Sequence, residues 1–249
     1  MEVLDMSTTT SNTEAFDYLA EYEGAGLDTI TQNEQAVSYL SLVQPGSQAA
    51  ADGAEPGTWR NSATGENYGP AVRVIVLAFR TIWNERNSEP PYSTVARYAP
   101  HSIQVDIQQP KAGKKGYPKM INPDSGNEIQ ELYVYAVALP DHPEAGILYF
   151  NPTVGSMRAC RSWNTQLKSQ LLPNGKQAPL FGFSWNLLAE LVPNPVKPAE
   201  KVARFTKVQR DVMTPKEIFM QQVQPQLEIV TKEVLSITQS VEADTSDNN

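Results

Sequence analysis

Basic and aromatic residues recur together in this chain, and their pairing suits contact with a phosphate backbone that carries flat bases. Arg80, Trp83, Arg86, Tyr92, Arg97 and Tyr98 form a first set, and Lys111, Lys114, Lys115 and Lys119 surround Tyr117 in a second. Arg158, Arg161 and Lys168 form a third. A cation neutralises a phosphate, and an aromatic face stacks on a base for about 1–3 kcal/mol per base. Neither contact depends on base identity, so the chemistry is that of sequence-independent binding to single strands.

Each set also has a plainer explanation. Trp83 ends an apolar run, where core packing competes with stacking. Tyr92 and Tyr98 flank a proline-bearing loop and could simply pack. The lysine loop, loosened by Gly113 and Gly116, could be a solubilising hairpin tip. Arg158, Arg161 and Lys168 are three or four positions apart, so on a helix they line one stripe, which serves solvent or phosphate equally well.

Catalysis finds little support. There is no phosphate-cradling glycine loop of the Walker kind and no nucleophile elbow. Asp106, Asp124, Glu128 and Glu131 are the nearest approach to a carboxylate cluster, without metal-loop spacing. Cys160 is the single cysteine, and His101 and His142 are the two histidines. A thiolate cluster or a structural zinc site is therefore not expected, nor is any cofactor. Cys160 reads as a buried, inert thiol.

The net charge of −8 over 249 residues would argue against a nucleic-acid partner, but the charge is segregated. Met1–Trp59 holds ten acidic residues and no Lys or Arg, and the segment from Asp211 onward holds seven acidic against two basic. Between them, Arg60–Arg210 carries eighteen basic against eleven acidic residues. No apolar run reaches the ~18 residues of a membrane span, and the acidic start is unlike a signal peptide. A protein that stays in the cytoplasm is the expectation.

The elements that must position these groups follow from pattern. Val72–Trp83 is β-branched and aromatic, apolar on both faces from Val74 to Phe79, and reads as a central strand. Pro90 and Pro91 exclude Asn84–Pro91 from a central strand. Ser102–Ile107, Leu132–Leu139, Gly146–Phe150, Phe181–Val192 and Val202–Val208 read as further strands. Gly155–Leu172 reads as a helix, with Trp163, Leu167 and Leu171 as its buried stripe. Phe16, Leu19 and Tyr22 suggest a short N-terminal helix. Thr214-Pro215 reads as the start of a last helix running to about Thr238, kinked at Pro225. The expected organisation is a mostly flexible acidic segment over 1–34, a β core over 35–210, and a helix with an acidic tail over 211–249.

The fold class expected is mainly β with helices, an OB-fold-like barrel with a C-terminal helix and flexible acidic termini. Pro56–Glu66, Gly155–Leu167 and Phe181-Gly182-Phe183-Ser184-Trp185, with the strands between them, resemble single-stranded DNA-binding proteins encoded by tailed bacteriophages. The resemblance implies an OB-fold core, protection or organisation of single-stranded DNA during replication or recombination, and action in the cytoplasm of the infected host. It also implies recruitment of phage replication proteins through the acidic tail, although Asp244–Asn249 lacks the usual terminal aromatic. The competing expectation is a virion structural or head-associated protein that binds no nucleic acid. Ile218, Phe219, Val223, Leu227, Val230, Val234 and Leu235 could pair between copies or cap the chain's own core.

Overall fold

The computed structural model describes residues 37–87, 89–90, 93–110, 118–194, 197–227 and 229–230. The expected helix over Glu14–Glu23, the flexible 1–34 segment, the acidic tail and the helix beyond Val230 lie outside the described residues.

The longest strand is the one the composition marks as central. β4 spans Ala71–Arg86. It pairs antiparallel with β10 (Phe183–Pro193) along its first half and with β5 (Thr94–Tyr98) along its second. On its other edge β8 (Glu128–Ala138) runs from Ile75 to Arg86, with a bulge at Leu77. β11 (Lys201–Met213) adds to β10, β9 (Ile147–Phe150) and β7 (Lys119–Ile121) add to β8, and β6 (Asp106–Gln108) adds to β7. A separate three-stranded sheet is formed by β1 (Leu40–Leu42), β2 (Trp59–Asn61) and β3 (Asn67–Gly69).

Among the described residues the large sheet does not close. Its order runs β11-β10-β4-β8-β7-β6, and the two ends do not pair. The mainly β reading holds, but the closed OB-type barrel is not what forms. β10 and β5 pair in succession along the same edge of β4, and among the described residues no pairing joins β11 to β6.

Two apolar layers cover the sheet. On one face Val72, Val74, Val76, Tyr135, Val137, Trp185 and Leu187 pack against Leu40 and Trp59 of the small sheet and against helix α2 (Met157–Ser169), which follows the four-residue α1 (Gln48–Ala51) in chain order. Trp163 of α2 stacks on Tyr135 with ring centroids 4.6 Å apart. On the opposite face Ile75, Leu77, Ala136 and Ala138 meet Val223 and Val230 of the C-terminal helical segment. No described helix is long and apolar enough to cross a membrane.

Local departures from the expected elements have local causes. β4 continues through Asn84, Glu85 and Arg86 because the prolines come only after it. Of the expected Ser102–Ile107 strand only Asp106 and Ile107 are strand, within β6; His101 before it takes the left-handed conformation, at φ 66°, and turns the chain. Leu171 lies beyond the end of α2 and is exposed, so the buried stripe is Cys160, Trp163 and Leu167. Thr214 does not cap the last helix: its hydroxyl donates to the Phe181 carbonyl, and α3 (Lys216–Ile218) begins after Pro215. A π-helical turn, Phe219–Val223, follows α3 and ends with one residue between it and Pro225. That widening falls where the proline ring would clash with the Gln221 carbonyl.

Candidate nucleic-acid interface

Strand alternation and register decide which basic residues meet. Beyond the Leu77 bulge, β4 pairs Phe79 with Tyr135, Arg80 with Val134, Ile82 with Leu132, Asn84 with Gln130 and Arg86 with Glu128. Phe79 belongs to the layer under α2. Alternation therefore puts Arg80, Ile82, Asn84 and Arg86 on the opposite face, with Val134, Leu132, Gln130 and Glu128. On β5, Arg97 pairs with Asn84 and joins the same face, exposed. On β7, Met120 pairs with Ile129 and Ile121 with Glu128, so Lys119 falls on this face too. Arg80, Arg86, Arg97 and Lys119 are thus gathered from three strands.

Their surroundings are mixed. Arg86 Nη1 donates to Gln130 Oε1 at 3.1 Å. Lys119 is ion-paired with Glu128. Burial lowers the Arg80 pKa, yet an arginine stays charged under any physiological condition. Asn84 is only 5 % exposed and, among the described residues, its Oδ1 has no hydrogen-bond partner, an uncommon state for a buried acceptor. The face therefore carries three guanidinium groups, two of which, Arg80 and Arg86, already interact within the protein, beside the half-buried aliphatic side chains of Ile82, Leu132 and Val134. The C-terminal helical segment packs at the other end of this face, over Ile75 and Ala138.

The described aromatic candidates are otherwise engaged. Trp83 is 4 % exposed and packs edge-on against His101 at 5.0 Å, leaving no open ring face for a base. Tyr98 donates its hydroxyl to Glu85 at 2.6 Å. Glu85 is a buried carboxylate that sequence reading passed over. It accepts from Tyr98 and Asn122 on Oε2 and from Ser125 and Asn127 on Oε1, tying β4 to β5 and to the turn before β8. Burial alone would raise its pKa, but the bonds from Ser125, Tyr98, Asn127 and Asn122 outweigh that and hold it down to about 2. Burial and the Glu85 carboxylate push the Tyr98 phenol up to about 12. A Glu inside a strand, followed later by an Asn-rich turn, was the one signal available in the sequence.

The third basic set is not brought to this face. Arg158, Arg161 and Lys168 are exposed on α2, and α2 covers the other side of the sheet through Cys160, Trp163 and Leu167. The four carboxylates do not form a metal cluster: Glu128 pairs with Lys119, Glu131 lies opposite Trp83 on the α2 side, and Asp106 and Asp124 are exposed on β6 and a turn. Tyr92, Lys111, Lys114, Lys115 and Tyr117 lie outside the described residues.

A family model described as Pam3 phage gp34-like protein matches residues 7–219, most of the chain. That description carries no activity. No curated protein and no solved structure matches.

Proposed function

The chain belongs to the Pam3 phage gp34-like family, and from that premise we propose that this phage protein binds single-stranded DNA without strong sequence preference. The observation that carries the reading is the convergence of Arg80, Arg86 and Arg97 from two neighbouring strands onto one sheet face. Guanidinium groups grip phosphate oxygens bidentately. The aliphatic floor of Ile82, Leu132 and Val134 would lie under the sugars and bases. No chemical step is required, so the protein acts as a binder and not an enzyme, in the cytoplasm of the infected host. The acidic composition after Val241 suits recruitment of replication proteins.

The test is fluorescence anisotropy with labelled oligo-dT across salt concentrations. Three phosphate contacts give a log–log salt slope of about −2 on single strands. Arg97→Ala should weaken binding and make that slope shallower, whereas Arg158→Ala/Arg161→Ala/Lys168→Ala should leave both unchanged. Absence of salt-dependent binding overturns the proposal. Assembly into particles without such binding would point to the virion-component reading.

A further inference from the structure

Away from that face, one group of side chains has the makings of an ion site. Glu66 stands in the turn between β2 and β3, and His142 and Glu144 stand in the turn between β8 and β9. Their ligand atoms all lie within 4.8 Å of one another. His142 Nδ1 is 3.3 Å from Glu144 Oε1 and 3.5 Å from Glu66 Oε1. One imidazole nitrogen therefore faces two carboxylates. A single N–H on that nitrogen can satisfy only one of them, whereas a divalent cation satisfies all three donors together.

The spacing discriminates further. Tetrahedral zinc takes His nitrogen at about 2.0–2.1 Å and carboxylate oxygen at about 2.0–2.2 Å, which separates neighbouring donors by roughly 3.3–3.6 Å. Both observed distances from His142 fall in that range. A mixed nitrogen and carboxylate set suits zinc and its first-row neighbours, while magnesium and calcium favour all-oxygen shells. The donors are also held from behind. The Tyr68 hydroxyl donates to Glu66 Oε2 at 3.3 Å, and its ring lies 4.7 Å from the His142 ring. One tyrosine thus orients two of the three ligands, as outer partners of metal sites do.

We propose that Glu66, His142 and Glu144 bind one divalent transition-metal ion, zinc being the best match, with water completing the shell. The bound ion clips the hairpin turn of the small sheet to the β8–β9 turn of the large one. A site of three protein ligands with an open position needs no thiolate, and the single cysteine, Cys160, is buried in the layer under α2.

The test is calorimetric titration of the chelator-treated full-length protein with zinc chloride at pH 7, alongside thermal unfolding with and without zinc. The wild type should bind one zinc ion per chain and gain Tm. His142→Ala and Glu66→Gln should each weaken binding at least tenfold and abolish the zinc-dependent gain. Glu144→Gln, at the most exposed of the three positions, should weaken binding while its zinc-free Tm stays at the wild-type value. Zinc affinity left at the wild-type value by either His142→Ala or Glu144→Gln overturns the assignment, as does a wild type that binds none.

Discussion

Glu85→Gln removes one negative charge from a buried acceptor, and two routes give the size of the effect. The folded carboxylate sits at about 2 against 4.5 for the unreacted group. At 1.36 kcal/mol per pH unit that gap corresponds to about 3 kcal/mol. Counting bonds gives a similar figure. Glutamine keeps one acceptor oxygen and presents an NH2 where Oε1 or Oε2 met two donors, and losing charge-assisted bonds costs about 1.5–3 kcal/mol each. The sign with pH follows from the lowered value. Above about pH 5 both folded and unfolded states are ionised and the full stabilisation is present. Below that the unfolded chain takes up the proton first, so stability drains away as pH falls toward 2. By pH 3 about 2 kcal/mol of the advantage should be gone. The assay is urea unfolding of wild type and Glu85→Gln at pH 7, 5, 4 and 3, taking the difference at each pH so that the other carboxylates cancel. A difference that stays constant with pH, or is below about 1 kcal/mol at pH 7, refutes the view that Glu85 folds ionised and fully bonded.

Two further perturbations probe the layer beneath α2. The Cys160 thiol is buried and pushed up to about 12 by that burial, so it should resist thiol-disulfide reagents at pH 8 until the protein is unfolded; labelling of the native protein at the rate of a small-molecule thiol contradicts this. The buried Tyr135 hydroxyl donates to Asn164 Oδ1 at 2.8 Å, so Tyr135→Phe should cost about 1–2 kcal/mol in urea unfolding while keeping the ring stack on Trp163.

What the sequence disclosed was local. The central strand around Val74–Phe79 was visible because β-branched and aromatic residues without Gly or Pro admit little else, and β8, β9, β10 and β11 followed from the same composition. The helix at Met157–Ser169 was visible in the spacing of Trp163 and Leu167. What stayed hidden depends on partners distant in the chain. Whether strands close into a barrel is a matter of which edges pair, and nothing in the β4 residues announces that β10 and β5 would share one edge. The Glu85 network draws on Tyr98, Asn122, Ser125 and Asn127, each unremarkable alone. The Glu66–His142–Glu144 group was equally invisible, because β3 through β8 separate Glu66 from the other two in sequence and they meet only when two turns come together.

The two described basic sets end on opposite sides for a reason that holds for any helix lying on a sheet. A helix that buries one stripe against a sheet must aim its polar stripe away from it, so Arg158, Arg161 and Lys168 necessarily point outward from the face that α2 covers. Strand residues obey a different constraint: with Phe79 committed to that covered layer, period two sends Arg80, Arg86 and, through pairing, Arg97 to the other face. A strand of DNA lying along one face can meet one set only. Simultaneous engagement would require it to pass around the edge of the sheet, over β11 or β6, a longer path that recruits more phosphates. The measured salt slope therefore distinguishes the two geometries: about −2 for the arginine face alone, and about −4 if all six cations are engaged.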